Sequence, residues 1–521
     1  NLRSQTAADE IGPLISEPRL QAAYELRLEL ADRMRAGGIP ALHVCNDDEA
    51  LYPNKIGSYS KGLPHNALGE VDLQAYGALR SALQSGVPSD FELIPLGGSR
   101  KLTNPQAGLA FETEGYDPHQ FVQPPAPAFA SAEAAAEMVE LYWMALLRDV
   151  RFTDYGAHGG VQFASNELSS LIDFKGPKVD GRVTYQTLFR DNLPGALAGP
   201  YISQFLLKPA PFGAEYVERR IRTLQPASNK VTTFAHWLAV QNGNVPQENS
   251  FDSTRRYIRN GRDLSQWVHV DVLFQAYFDA CLILATPPSS DPLSGGIGAP
   301  PNPGNPYLGS ATQEGFATWG PPFFKTLLCE VSLRALKAVW FQKWFVHRRL
   351  RPETFGGRIH VHKTGGAEYP IHSQVLNSTA LNYIGGNGTY LLHQAFPEGS
   401  PTHPAYGAGH ATVAGACVTV LKALFDGSFV VPQPVVPDST GTVLIATSTT
   451  TPLTVTGELN KLASNIATGR NHAGVHWRSD ATESLKLGEA VAIQFLLDHK
   501  ATLNEGGSFI FQKFDGTTIT L

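Results

Sequence analysis

The sequence predicts a mainly α-helical protein made of helical bundles, with minor β-hairpins and long Gly/Pro loops. Apolar residues recur at spacings of three and four over most long segments, which is the period of an α-helix. Strand-like patterns are confined to the stretches 441–456 and 508–514. The chain has 49 glycines and 37 prolines among 521 residues, which predicts long ordered loops. We expect the helices to form two four-helix bundles.

The first predicted helices are Glu17–Arg35 and Leu73–Gln84. The second follows Asp72 as a candidate N-cap and stops at Gly86. A strong amphipathic helix opens at Ser131. The same periodicity predicts further helices at 263–284, 323–347, 372–393, 410–425, 459–468 and 480–500.

One segment interrupts this pattern, because residues 287–307 read PPSSDPLSGGIGAPPNPGNPY. Such a sequence forms neither a helix nor an inner strand. It is either a domain linker or an ordered surface loop at a subunit contact. We therefore divide the chain into an N-terminal helical region (1–286), a Gly/Pro-rich loop (287–310) and a C-terminal helical region (311–521), within one compact body.

Composition excludes several classes of function. The net charge is −6 and the only dense basic patch is local, which argues against nucleic-acid binding. No stretch of 18 apolar residues occurs, so we expect no membrane contact and a soluble protein, with a secreted or periplasmic location slightly favoured. Charged residues make up only 17% of the chain. A typical share is about 25%, so we expect surface buried in a homo-oligomer, a dimer or a larger shell.

Chemically informative residues form three clusters in the last third of the chain. In the first, Lys343 and Arg351 lie eight residues apart, so two helical turns can place both on one face, with Trp340 one turn before Lys343. Pro352 ends that predicted helix. Taken alone, this cluster is typical of a basic helix end that the helix dipole favours. We expect His347, beside Arg348 and Arg349, to lie at that solvated helix end.

The second cluster is a glycine turn, Gly407-Ala408-Gly409, that leads into a helix at His410. Free N–H groups at such a helix start can bind an anion. The third cluster contains Arg470, His476 and Asp480. Asp480 either lies in a helical first turn capped by Ser479 or orients the ring of His476.

Together the clusters supply three cations, several backbone amides and two histidines. Lys343, Arg351 and Arg470 provide the positive charge. His410 and His476 provide an acid–base group and a nucleophile or ligand. This combination predicts a site for a highly charged tetrahedral or trigonal-bipyramidal oxyanion.

The order Lys…Arg-Pro, Gly-His and Arg-x5-His-x3-Asp resembles the signature of vanadium-dependent haloperoxidases and related acid phosphatases. Within that superfamily, the segments NPYLGSATQEGFATWGPP and SPTHPAYGAGHAT resemble the bromoperoxidases of red algae and cyanobacteria. The resemblance implies a vanadate cofactor and no haem; we predict no calcium site. It also implies that bromide, or chloride or iodide, is oxidised with hydrogen peroxide to hypohalous acid, which halogenates small organic acceptors.

The resemblance also implies a role for each site residue. His476 is the expected vanadium ligand and His410 the expected acid–base residue. The groups expected to hold vanadate are Lys343, Arg351, Arg470 and the Gly409 N–H. His403 stands where bromoperoxidases carry histidine and chloroperoxidases carry phenylalanine. Trp340 stands where red algal members usually have arginine and brown algal and fungal members have tryptophan, so the expected halide environment is mixed.

Two residues add specific expectations. Ala408 occupies the position of the family's usual serine and cannot donate that hydroxyl to a vanadate oxygen. Asp279 lies in the apolar run FQAYFDACLIL, so its carboxylate needs a cation. Arg470 or another site arginine is the candidate partner; the alternative is an acid on the helix surface at a subunit rim.

Two other functions use the same residues. An acid phosphatase would form a phosphohistidine at His476, with His410 protonating the leaving group. A non-catalytic protein could bind an oxyanion or serve in assembly, since Ala408 lacks the serine hydroxyl. Trp340, His403 and the long flanking segments favour the haloperoxidase over the phosphatase.

Overall fold

The structure is a computed structural model that describes residues 17–36, 41–291, 294–386 and 388–521. Its α-helices in chain order are α1 Glu17–Ala36, α2 Asp48–Leu51, α3 Leu73–Ser85, α4 Pro88–Phe91, α5 Ala132–Leu146, α6 Gly159–Ser170, α7 Gln204–Leu207, α8 Phe234–Gln241, α9 Gly261–Trp267, α10 Gln275–Ala285, α11 Pro321–Phe341, α12 Pro352–Lys363, α13 Ser373–Leu376, α14 Thr379–Gly385, α15 Gly409–Leu424, α16 Val455–His472 and α17 Arg478–Ala501.

The strands form four antiparallel sheets of two strands each, of which all but β3–β4 are hairpins. The pairs are β1 Ala210–Phe212 with β2 Glu215–Val217, β3 Ile221–Leu224 with β4 Phe251–Arg256, β5 Val435–Pro437 with β6 Leu444–Ala446, and β7 Ile510–Gln512 with β8 Thr518–Thr520. The predicted mainly α-helical fold with minor hairpins is confirmed. No helix among the described ranges is long and apolar enough to cross a membrane.

Helix α15 is the centre of a four-helix bundle formed with α11, α16 and α17. Every residue of α15 except His410 is buried, because the helix is apolar on all sides. Two glycines let α15 and α17 cross with their backbones in contact. A Cβ atom on Gly488 would lie 2.0 Å from the carbonyl oxygen of Thr412, and one on Gly415 would lie 2.1 Å from that of Leu485.

Helix α5 connects the N-terminal part of the chain to this bundle. It packs against α6, α13 and α14 on one side and against α16 on the other. Two of its acidic side chains, Glu137 and Glu140, are buried together with its apolar residues. The Ser131 side chain caps the helix by accepting a hydrogen bond from the Ala134 N–H, as its position in the sequence predicts.

Three predicted elements differ from the structure. The helix predicted at 263–284 is broken, with α9 and α10 separated by residues 268–274, where three valines lower the helix propensity. The helix predicted at 372–393 is reduced to α13 and α14, since Asn377 and the Gly385-Gly386 pair interrupt it. Only Leu444–Ala446 of the stretch 441–456 is a strand, because α16 already begins at Val455.

In the Gly/Pro-rich segment after α10, Pro301 and Asn302 pack on the C-terminal half of the chain. The buried Asn302 side chain donates hydrogen bonds to the carbonyls of Lys422 and Ile510. Pro301 forms a bridge to Phe425. These contacts favour the ordered loop over the domain linker, whereas its place at a subunit contact and the three-part division of the chain stay predictions.

The glycine crossing of α15 and α17 predicts a contrast between two Gly→Ala variants. Gly488→Ala should destabilise the fold by about 1–3 kcal/mol, because the new methyl group collides with backbone atoms. Gly77→Ala, at an exposed position of α3 with no atom within 4 Å of the new Cβ, should stabilise it by about 0.5–1 kcal/mol. Urea unfolding of both variants measures this; equal effects would contradict the close crossing.

Candidate active site

A cavity of about 400 Å³ opens at the N-terminal end of α15. Its walls come from α10, α11, α15 and the loop 396–403. Six of the ten residues assigned to the site from the sequence line it: Trp340, His403, Gly409, His410, Arg470 and His476. The fold therefore brings all three sequence clusters to one place.

Lys343 and Arg351 converge through a chain reversal and not along one helix face. Helix α11 continues as a π-helical turn, Gln342–His347, which Arg348 ends with a left-handed φ of 38°. Arg351 is extended and directly precedes α12. Pro352 enforces this geometry, because a residue before proline avoids the α conformation. The prediction of a single continuous helical face was wrong.

Three buried cations meet at the inner end of the site. Lys343 Nζ donates to the carbonyls of Pro404 and Ala405, at 2.9 and 3.2 Å. The Arg470 guanidinium donates to the Val268 carbonyl at 2.7 Å, while its buried Nε has no hydrogen-bond partner among the described residues.

Arg351 completes this group of cations. It donates to the carbonyls of His403 and Val475, at 3.0 and 2.8 Å. Throughout the described ranges, no carboxylate oxygen lies within 4.0 Å of the charged nitrogens of Lys343, Arg351 or Arg470. The positive charge is therefore held by carbonyl dipoles and has no ionic partner.

The protonation of the site follows from this burial. Burial, and then the charge of Arg351, hold the pKa of Lys343 well below its usual value. Burial lowers the pKa of Arg351 to about 10. The pKa values of His403 and His476 lie well below the usual range because both rings are buried beside these cations. Both imidazoles are therefore neutral.

The tautomer of His476 is set by its two neighbours. Arg351 can only donate, so the His476 Nε2 atom 2.9 Å away is an acceptor without a proton. The Nδ1–H donates to Asp480 Oδ2 at 2.8 Å. Asp480 also accepts from the Trp477 N–H at 3.1 Å, within the turn that begins α17. Asp480 lies in the first turn of α17 and also orients His476, so the structure combines the two roles considered for it; the N-cap residue is Trp477 and not Ser479.

Asp480 is itself held by a buried ion-pair network. Arg349 donates to Asp480 Oδ1 and to Glu137 Oε2, each at 2.9 Å. Glu137 Oε1 accepts from the Ser479 N–H at 2.5 Å. The chain of contacts thus runs from α5 through Arg349 to the ring of His476.

The start of α15 presents backbone N–H groups to the cavity. Ala408 is the N-cap residue and makes no side-chain cap hydrogen bond; its own N–H donates to Ser484 Oγ at 2.8 Å. A Cβ atom on Gly409 would lie 3.3 Å from the Trp340 ring, so glycine keeps this approach open. The first N–H groups and the positive end of the helix dipole together favour an anion.

His410 lies at the more solvent-exposed side of the cavity. Its side chain is 30% exposed, and its Nε2 lies 3.0 Å from Asp271 Oδ1. Across the cavity, the His403 ring packs on Trp340 with 5.0 Å between ring centroids, and its Nδ1 accepts from Arg351 at 2.9 Å. The cavity therefore has a solvent-connected histidine on one side and a buried one on the other.

Known proteins share both this sequence and this fold. A family model described as the VCPO second helical-bundle domain matches residues 333–505. The vanadium-dependent bromoperoxidase of Corallina officinalis is 35% identical over 97% of this chain and 99% of its own length. That of Ascophyllum nodosum is 34% identical over 99% of this chain and 95% of its own. The homohexameric structure of the second vanadate-dependent bromoperoxidase from Ascophyllum nodosum covers 96% of this chain and 90% of its own, with a TM-score of 0.91 and 34% identity.

The chain belongs to the vanadium-dependent bromoperoxidases. The haloperoxidase predicted from the sequence is thereby confirmed as an enzyme, over the acid phosphatase and the non-catalytic alternatives. The resemblance seen in the three clusters extends over nearly the whole bromoperoxidase chain.

Two assignments from the sequence need correction in this bromoperoxidase. Asp279 is buried in α10, but its partner is Arg219 and not Arg470 or another arginine of the site. It is also not an acid on the helix surface. His347 is not a solvated helix end: it is 7% exposed and packs edge-on against Tyr406. In both cases the partner comes from a distant part of the chain, which local spacing cannot reveal.

Sequence reasoning missed several residues around the bromoperoxidase cavity. Asp271 lay inside a segment predicted as helix, and Glu137 lay in an amphipathic helix that was given no chemical role. Arg349 was treated as part of a basic helix end. An acidic residue inside an apolar run, as in AEMVELYWMAL, was an available signal, because a buried carboxylate requires a cation.

The buried network predicts a large stability loss in Arg349→Met. Both Glu137 and Asp480 would lose their shared cation, and breaking a buried pair by removing one partner costs about 3–5 kcal/mol. Arg80→Met is the control, since Arg80 pairs with Glu49 but is half exposed, and exposed pairs contribute about 0–1 kcal/mol. Urea unfolding compares the two; equal losses would mean that the Arg349 network does not stabilise the fold.

Proposed function

We propose that this chain holds vanadate at the inner end of the cavity and uses it to oxidise bromide with hydrogen peroxide. The observation that carries the proposal is the meeting of three buried cations, none of them paired with a carboxylate in the described part of the chain, at the start of α15. A multiply charged oxyanion is the ligand that such a group of cations favours. His476, with its proton on Nδ1, offers Nε2 as the vanadium ligand.

Several features of the site fit vanadate. The unpartnered Nε–H of Arg470 can donate to an oxyanion oxygen, and so can the Gly409 N–H. Lys343 and Arg351, both fully buried, add positive charge at the inner end of the site. Carbonyl oxygens already hold these cations in place, so little reorganisation is needed when the anion binds.

The remaining residues have separate tasks in this proposal. Bound vanadate supplies a Lewis-acidic centre at which hydrogen peroxide becomes an oxidant for halide. His410, held through Nε2 by Asp271, takes a proton from the entering peroxide at its other ring nitrogen. Trp340 and His403 shape the halide environment. Burial of Lys343 and Arg351 keeps water from competing for the oxyanion.

Assembly and location are the finer parts of the proposal. The low charge content of the chain and the homohexameric assembly of the Ascophyllum nodosum relative support a homo-oligomer. The expected reaction partners are hydrogen peroxide, halide and small organic acceptors. A secreted or periplasmic location stays a prediction.

His476→Ala should abolish both vanadate binding and bromide oxidation, because no other described group replaces its ring nitrogen. The matched control is His472→Ala, which removes a histidine that is equally buried but bonded to Tyr201 outside the cavity. The assay combines protein, vanadate, peroxide, bromide and phenol red, beside p-nitrophenyl phosphate without vanadate. Stoichiometric vanadate and most activity in His476→Ala would refute the ligand assignment.

Ala408→Ser should bind vanadate about fivefold more tightly, since one added hydrogen bond contributes roughly 1 kcal/mol. As the N-cap residue, serine can instead accept a hydrogen bond from the α15 backbone and stabilise the apo-protein by about 0.5–2 kcal/mol. Vanadate titration and urea unfolding of the apo-protein separate the two roles. A stability gain without tighter vanadate binding would show that residue 408 does not face the oxyanion.

A further inference from the structure

We propose that Arg100 binds the halide ion in the outer part of the cavity. The Arg100 side chain lines the cavity, although the residue belongs to the N-terminal part of the chain and to none of the three sequence clusters. The proposal rests on the proposed function, because a bound halide has a role only where bromide is oxidised. It adds a binding residue for one reactant and no further chemical step.

The Arg100 guanidinium has no partner within the described part of the protein. Its Nη1 atom is buried without a hydrogen bond. None of the ion pairs among the described residues includes Arg100, and Glu398, the acid that its charge reaches, is bonded to His269. Of the charged side chains described at the cavity wall, Arg100 alone has neither an ionic nor a hydrogen-bond partner. A buried N–H donor on a charged group is costly to leave unmatched, which favours a small anion as the missing partner.

The segment that carries Arg100 is fixed beside the two residues assigned to the halide environment. The Thr103 N–H donates to the Thr402 carbonyl at 2.8 Å, and the hydroxyl oxygens of these two threonines lie 3.0 Å apart. Thr402 directly precedes His403. The Trp340 Nε1–H donates to the Thr103 carbonyl at 3.3 Å. The backbone from which Arg100 enters the cavity is therefore held against both Trp340 and His403.

The other charges of the outer cavity are already engaged. Asp271 lies 3.0 Å from His410, and Glu398 lies 2.6 Å from His269. The three cations of the inner end are buried, and in the proposed function the oxyanion balances their charge. Arg100 is partly exposed. A halide that enters from solvent while the oxyanion is bound thus finds its free cation at Arg100.

Among the reactants, the halide is the one that this guanidinium selects. Hydrogen peroxide and a neutral organic acceptor carry no net charge and gain no ionic attraction from Arg100. A guanidinium is always charged, and it is more weakly hydrated than an ammonium group. Bromide is also weakly hydrated, more so than chloride, so bringing the two ions together displaces little tightly held water. Bromide needs donors and no acceptor, which is what arginine offers.

Two neighbouring variants of equal charge test the proposal. Arg100→Gln removes a cation from the cavity wall, whereas Lys101→Gln removes one from an exposed residue that does not line the cavity. With saturating vanadate and peroxide, Arg100→Gln should raise the KM for bromide about tenfold, the loss that corresponds to roughly 1.4 kcal/mol. The kcat at saturating bromide and the KM for peroxide should stay near the wild-type values. Lys101→Gln should match the wild type in all three.

Bromide binding is also measured without turnover. Vanadate-loaded protein without peroxide is titrated with bromide, and the width of the bromide NMR resonance reports the bound ion. Wild-type protein and Lys101→Gln should broaden the resonance equally, and Arg100→Gln should lose most of this broadening. Arg100→Lys, which keeps the positive charge, should retain part of it.

Equal bromide KM values and equal broadening in Arg100→Gln and Lys101→Gln would overturn the proposal. A lower kcat in Arg100→Gln with an unchanged KM for bromide would also overturn it, because a residue that only supports the fold gives that result. Vanadate titration of the wild-type protein reports the proposed function alone. Failure to bind vanadate refutes that function, whereas vanadate binding and bromide oxidation without any effect of Arg100→Gln refute only the halide site.

Discussion

The constraint on which the structure depends is the burial of three cations without a carboxylate partner in the described ranges. Burying an unpaired charge costs several kcal/mol, so the fold must hold Lys343, Arg351 and Arg470 against their mutual repulsion. It does so with carbonyl oxygens from the segments before α15 and α17 and from the break after α9. The result is a site whose positive charge favours a bound anion, which supports the vanadate site that we propose.

Beside this unpaired cluster lies a second buried group of charges that is fully paired. Arg349 joins Glu137 to Asp480, and Arg478 binds Glu140 and Asp191. The pairing lets α5, from the N-terminal part of the chain, support the turn that carries His476. The two clusters differ in arrangement: the paired charges hold the turn that carries His476, whereas the unpaired charges are the ones that we propose to bind the oxyanion.

The segment between α9 and α10 contributes both a charged side chain and an apolar side chain to the cavity. A continuous helix would present one residue in three or four to the site, whereas this irregular segment of turns presents His269, Asp271 and Leu273. It thereby supplies Asp271 to His410 and Leu273 to the cavity mouth. The acid beside His410 and an apolar side chain of the cavity thus come from the same short segment.

The sequence by itself determined the helical class, because the period of apolar residues is a local property of the chain. It also determined the three clusters and the family, because glycine turns and the types and spacing of the site residues can be read directly from the sequence. It also indicated that acids in apolar runs need cations. The tertiary structure alone decided which cations: Asp279 pairs with Arg219, and Asp480 with Arg349. It also decided that Lys343 and Arg351 meet through a left-handed turn at Arg348 and that 268–274 leaves the helix. Such pairings join residues 60 or more positions apart, and the burial that makes them necessary exists only once the elements have packed.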